Sequence, residues 1–139
     1  MRDSIHFTEE LTGRFRKDRP ALAAISMDNP GHLTCVANDY GYDYVFSRQV
    51  EAFGKAGDSL LSISTSGNSK NVIEAVLSAK KQKLITVGLL GKDGGKLASM
   101  VDIPLVIPSK VTDRIQEIHI KIIHLIIEGI ERELYPDHY

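Results

Sequence analysis

Residues 60 to 76, LLSISTSGNSKNVIEAV, constrain the fold more than any other stretch, because an apolar run passes through a turn of hydroxyls and glycine directly into an amphipathic helix. Leu60, Leu61 and Ile63 read as a strand buried in a parallel sheet, and Val72, Ile73 and Val76 share one face of the helix that follows. The turn between them holds Ser64, Thr65, Ser66, Gly67, Asn68 and Ser69. There the unpaired N–H groups of a helix's first turn, the positive end of its dipole and four hydroxyls converge where a small dianion can sit. Gly67 is expected to let backbone approach a ligand closely. Ser-Gly-Asn-Ser is also ordinary turn and N-cap chemistry, but capping needs only one or two of these hydroxyls. The spacing matches neither G-x-G-x-x-G nor a Gly-Lys-Ser/Thr P-loop, so a sugar phosphate is expected before a nucleotide.

Residues 1–139 with 42% hydrophobic content are expected to form one domain, with room for about four strands and their helices. A net charge of −1 with scattered Lys and Arg argues against a nucleic-acid surface, so small molecules are the expected partners. Cys35 is the only cysteine; it excludes an internal disulfide and points to a reducing compartment. The N-terminus is polar, and the apolar run at 118 to 127 is short and broken by His119, Lys121 and His124. A cytoplasmic protein with no membrane partner is the expectation.

Spacings of three and four predict a helix over 3–16, ended by Pro20, then a short strand over 21–26 and a turn at Asn29-Pro30-Gly31. A helix over 42–54 closes at Gly54 and Gly57. Strands are expected at 84–90 and 103–107, a loop at 91–95, and a long helix over about 112–134. Strands alternating with helices mean an α/β parallel sheet.

The last helix is apolar nearly all round from Ile118 to Ile127, which implies burial on more than one side, as in a subunit interface. His124 in its middle needs a hydrogen-bonding partner, and a satisfied core histidine is the plain explanation. Asp113 and Gln116, one turn apart near the helix start, belong at the carboxyl edge of the sheet where open α/β folds bind ligands. Gln116 and His124 are eight residues apart, about 80° around an ideal helix, so both can face one cleft at different depths. On the first helix His6 and Glu10 stand at i and i+4. Alone that is a surface ion pair; with Gln116 and His124 it is either an N,O-rich set acceptable to zinc or an acid–base pair without metal.

HFTEELTGRF at 6–15, CVANDYGYDYVFSRQVEAFG at 35–54, GDSLLSISTSGNSKNVIEA at 57–75, GKDGGKLA at 91–98 and DRIQEIHIKIIH at 113–124 keep a shared order and spacing. Together they resemble the phosphoheptose isomerases, the sedoheptulose 7-phosphate isomerases of the sugar-isomerase (SIS) family, from about Asp3 to Glu133. The resemblance implies a single flavodoxin-like SIS domain, a parallel sheet flanked by helices, assembled as a homotetramer. It implies conversion of sedoheptulose 7-phosphate to D-glycero-D-manno-heptose 7-phosphate, the first step towards the ADP-heptose of lipopolysaccharide inner core. Glu10 would be the general base and His124 its acid partner in a 1,2 proton shift through an enediol. Ser64, Thr65, Ser66 and Ser69 would hold the phosphate, with Arg14, Asp39, Asp113 and Gln116 around the sugar. One zinc per subunit would be held by His6, Glu10, Gln116 and His124. The residue types suit the reaction, since an aldose–ketose shift needs one group for the carbon-bound proton and another for the oxygen-bound one, while the phosphate supplies remote binding energy.

Family members also carry a first strand ending in a GNGGS loop, which this sequence lacks. In a 2-1-3-4-5 order that strand lies between the segments at 21–26 and 59–64, so its loss leaves ladders without partners. The expected explanations, in order, are a misassigned start, a gene fragment, or a sheet completed by a partner chain. Two other classes stay open: a non-catalytic SIS protein like the DnaA-initiator-associating protein, disfavoured by having both Glu10 and His124, and an inactive truncated isomerase. A sugar-phosphate-sensing regulator is disfavoured by the lack of a DNA-binding appendage.

Overall fold

The computed structural model describes residues 2–139 and divides them into two compact units, residues 29–116 and residues 2–28 with 117–139. The larger unit is built on three parallel strands, β1 (Ser59–Ser64), β2 (Ile85–Gly91) and β3 (Ile103–Ile107), in the order β1-β2-β3. Leu61 stands opposite Val87, and Leu89 opposite Leu105. Parallel neighbours need a crossover, supplied by α4 (Lys70–Lys81) between β1 and β2 and by the short α5 (Leu97–Met100) between β2 and β3. Two further helices precede the sheet, α2 (Pro30–Asp39) and α3 (Ser47–Phe53). Leu60, Val76, Ala79, Leu89, Leu90 and Leu97 are buried in this core, beside Val45 and Val50. An α/β fold with a parallel sheet flanked by helices is therefore present, with three strands.

The segment 21–26 is not a strand. A strand exists only through a ladder, and of its backbone groups Leu22 N–H alone bonds outward, to the Leu11 carbonyl at 3.0 Å. Asn29-Pro30-Gly31 is not a free turn but a helix start. The Asn29 side chain accepts from His32 N–H and Pro30 takes the first helical position, where its missing N–H costs nothing. The expected helix over 42–54 is split into a 3-10 turn at Tyr42–Tyr44 and α3.

The smaller unit consists of α1 (Arg2–Thr12), the segment that follows it, and α6 (Thr112–Leu134) from Glu117 onward. Helix α1 stops at Thr12 rather than 16: Gly13 N–H makes the last helical bond, to the Glu9 carbonyl at 2.8 Å, and glycine is a poor helix former. Along α6 one stripe is buried, running through His119, Ile123, Ile127 and Glu131 at steps of four. Leu125, off that stripe, is 66% exposed, so within the chain itself the helix is covered along one stripe rather than all round.

Candidate active site

In the larger unit the hydroxyl turn has a defined shape. Ser64 closes β1, buried, with its hydroxyl 3.1 Å from that of Ser69 and accepting Gly67 N–H at 3.1 Å. Ser66 Oγ accepts Asn68 N–H at 3.2 Å, and Thr65, Ser66 and Ser69 are partly exposed. Ser69 occupies the N-cap of α4, yet its side chain makes no capping bond there; Val72 N–H is taken by the Ser69 carbonyl at 3.1 Å and by Asn71 Oδ1 at 2.9 Å, so the donors left for an anion are the N–H groups of Lys70 and Asn71.

Gly67 has φ of 64°, and a Cβ there would lie 1.9 Å from the Gly94 carbonyl oxygen. Its bare Cα thus serves the close approach of a second loop. That loop is the GKDGG stretch at 91–95. Leu97 N–H bonds the Gly67 carbonyl at 3.0 Å, and Lys96 N–H bonds the Asn68 side chain at 3.1 Å. Asn68 Nδ2 also donates to the Ser66 carbonyl at 2.9 Å, so one amide ties the two loops together. An open depression of about 520 Å³ lined by Lys92, Asp93, Pro108, Ser109 and Lys110 contains none of the expected site residues.

In the smaller unit α1 and α6 bring together side chains 118 residues apart. His6 Nε2 lies 2.9 Å from His124 Nε2 and 3.7 Å from a Glu10 carboxylate oxygen. His6 Nδ1 bonds a Glu9 oxygen at 3.0 Å. A carboxylate only accepts, so Nδ1 carries a proton, and one further proton is shared between the two Nε2 atoms. Phe15 lies against the His124 ring at 5.8 Å between centroids, 28° from parallel. His124 is only half-buried; the fully buried histidine of α6 is His119. His124 is thus a partnered histidine, at the edge of the core rather than within it.

The remaining expected residues scatter. Arg14 is exposed and lies beyond the end of α1. Asp39, the last residue of α2, is exposed and accepts from Asn38 at 2.8 Å and from the Cys35 thiol at 3.6 Å. Asp113 and Gln116 sit on exposed positions of the first turns of α6, with Asp113 3.6 Å from Arg114. Sequence reasoning missed Glu9, Phe15 and Asn68. Glu9 had a signal, its i+3 spacing from His6, whereas Phe15 lies outside any helix and had none.

Two imidazoles and a carboxylate are donors that zinc accepts, and a carboxylate on the distal nitrogen of one histidine is the usual support for such a ligand. Among the described residues no group of three or more His, Cys, Asp or Glu side chains is arranged to hold a metal ion. No helix among them is long and apolar enough to cross a membrane.

Comparison with known proteins places these features in a wider set. The SIS domain family matches residues 1–91. A phosphoheptose isomerase of Fusobacterium nucleatum is 62% identical over 137 residues, covering 99% of this chain and 71% of that protein. One from Vibrio vulnificus is 55% identical over 133 residues, covering 95% of this chain and 70% of that protein. Among solved structures, phosphoheptose isomerase GmhA from Neisseria gonorrhoeae superposes with a TM-score of 0.87 at 46% identity, over 94% of this chain and 70% of that one. A phosphoheptose isomerase from Francisella tularensis gives 0.88 at 36% identity, over 94% and 72%.

Proposed function

Since the chain belongs to the phosphoheptose isomerase family of SIS-domain proteins, we propose that it interconverts sedoheptulose 7-phosphate and D-glycero-D-manno-heptose 7-phosphate by a 1,2 proton shift. It is an isomerase, and its substrate is a sugar phosphate. The observation that carries the acid–base reading is the meeting of His124, His6 and Glu10 within the smaller unit, across 118 residues of sequence.

The Glu10 carboxylate takes the proton from the carbon beside the carbonyl, and the enediol so formed is reprotonated on the neighbouring carbon. His124 moves the oxygen-bound proton. The proton between the two imidazoles gives it a route, because His6 holds one Nε2 against the other while Glu9 fixes its own tautomer. Ser64, Thr65, Ser66 and Ser69, with the first turn of α4, take the phosphate. Its binding energy holds the reacting carbons in place. Arg14, Asp39, Asp113 and Gln116 serve the sugar hydroxyls.

Zinc, when bound, would be held by His6, Glu10, Gln116 and His124, and would polarise the substrate oxygens. A homotetramer in the cytoplasm, feeding heptose into the lipopolysaccharide inner core, completes the proposal.

Turnover of sedoheptulose 7-phosphate by the Glu10→Gln and His124→Ala variants tests this reading. Each is expected to lose about 10²–10⁴-fold in kcat, the usual worth of a positioned acid or base. Wild-type turnover in either variant removes that residue from its role.

A further inference from the structure

Among the described residues Arg19 is the one arginine or lysine whose side chain is fully buried, and it lies just beyond the helix that carries Glu10. Its Nε donates to Glu131 on α6 at 2.7 Å, and the Glu131 side chain is only 2% exposed. Nη2 donates to the backbone carbonyl of Glu10 at 2.7 Å. Nη1 donates to the carbonyls of Leu11 at 2.8 Å, Pro20 at 3.2 Å and Gly13 at 3.3 Å. A helix end leaves carbonyls without partners, and here one planar guanidinium collects those of α1 while fastening them to α6. Burying such a pair costs desolvation that the same volume of apolar side chain would not, so stability alone is a weak reason for it.

The geometry suggests another reason. Between α1 and Arg19 the chain runs along α6, touching it a turn at a time: Phe15 on the His124 ring, Arg16 on Glu128 at 2.9 Å, Arg19 on Glu131. We propose that Arg19, through Glu131, is a positioning residue that sets the separation of Glu10 and His124 and holds Phe15 against the His124 ring. The proposal rests on the reading of Glu10 and His124 as the acid–base pair. Arg19 touches neither substrate nor the reacting atoms; it acts through the backbone of α1 and the segment after it.

The test compares the 139-residue chain with Arg19→Lys, Glu131→Gln and the double variant Arg19→Met/Glu131→Leu. The double variant avoids a lone buried charge, and Glu131→Gln keeps an acceptor for Arg19 Nε at nearly unchanged shape, so it carries the test even where the double variant does not fold. Folded double variant is expected to lose roughly 10–100-fold in kcat with KM changed by less than about threefold, since a misplacement near 1 Å costs on that order. Arg19→Lys is expected to recover part of the loss, because it restores charge but not the five-donor fork. Glu131→Gln is expected to lose several-fold in kcat.

Imidazole NMR signals give a readout independent of turnover. Those of His6 and His124 are expected to move in the double variant and in Glu131→Gln, and to return towards the wild type in Arg19→Lys. Wild-type kcat, or unmoved His6 and His124 signals, in the folded variants overturns the proposal. So does a loss of apparent kcat that only tracks the unfolded fraction. Glu10→Gln is measured alongside: if it is inactive while the Arg19 variants keep wild-type kcat, the positioning role alone fails. If Glu10→Gln is fully active, the acid–base reading fails and takes the positioning role with it.

Discussion

The two units carry the two halves of the proposed chemistry and are held by different physics. In the larger unit the hydroxyl turn is six consecutive residues, shaped by backbone hydrogen bonds and by the close approach of Gly67 and Gly94. In the smaller unit the acid–base set joins α1 to α6 and is held by side chains: a histidine pair, the Arg19–Glu131 and Arg16–Glu128 ion pairs and an aromatic contact. The shape of a site cut from contiguous backbone depends on no ionisable side chain, while its attraction for an anion is screened by salt; the shape of one assembled from charged side chains is itself sensitive to pH and salt. The lesson is that substrate affinity and turnover should fail separately.

The sharpest way to break this division is Gly67→Ala. Its methyl group meets the Gly94 carbonyl oxygen and its φ of 64° is unfavourable for alanine, so the two loops must part. The expected cost is about 3–4 kcal/mol of stability, as for other backbone strain with steric overlap. KM for sedoheptulose 7-phosphate is expected to rise at least about tenfold, with kcat falling less. Steady-state kinetics at a temperature where the variant is folded decides it; a fall in kcat at unchanged KM contradicts the separation.

Tyr139→Phe probes the smaller unit's dependence on pH. Burial alone raises the Glu131 pKa, but the hydrogen bonds from Tyr139 and Arg19 outweigh it and hold the group below the 4.5 of a free glutamate. Tyr139, giving its hydroxyl to Glu131 at 2.5 Å, is held above the ordinary tyrosine value of 10.0 chiefly by that bond. A lowered carboxylate pKa contributes stability that is full above the unfolded value and is lost as pH falls through the folded one. A raised phenol pKa contributes stability that is full below pH 10.0 and is lost as pH rises through the folded value. Removing the hydroxyl is expected to cost about 1 kcal/mol at pH 7, with the difference from wild type shrinking below pH 4.5 and above pH 10. Urea unfolding across that range checks it, and a difference independent of pH refutes the assignment.

The smallest effect is expected at Arg16→Ala. The Arg16 side chain is 53% exposed, so its pair with Glu128 contributes only a few tenths of a kcal/mol, about what surface ion pairs give, and that contribution should vanish in high salt. A loss above about 1 kcal/mol, measured by thermal unfolding at low and high salt, would make this contact part of the clamp rather than its exposed margin.

Legibility followed the same division. The strand, turn and helix of residues 59–81 were readable because period, hydroxyls and glycine are adjacent in the chain, and the long helix matched over 112–134. The segment 21–26 looked like a strand by composition, but strand formation is decided by a neighbour, and no local pattern reports one. Helix α2 hid behind a proline and a glycine read as a turn, although Asn29 before Pro30 is also a helix start.

By itself the sequence determined apolar segments alternating with helices, a hydroxyl turn at a helix N-terminus, and the residue types for a proton shift, since all of these depend on neighbours along the chain. Only the tertiary structure decided that Gly67 serves Gly94, that His6 faces His124 with Glu9 behind it, and that Arg19 ties α1 to α6. Those contacts span from 27 to 118 residues for all but the local ones, and the direction of a side chain across such a distance is set by packing, which periodicity does not encode.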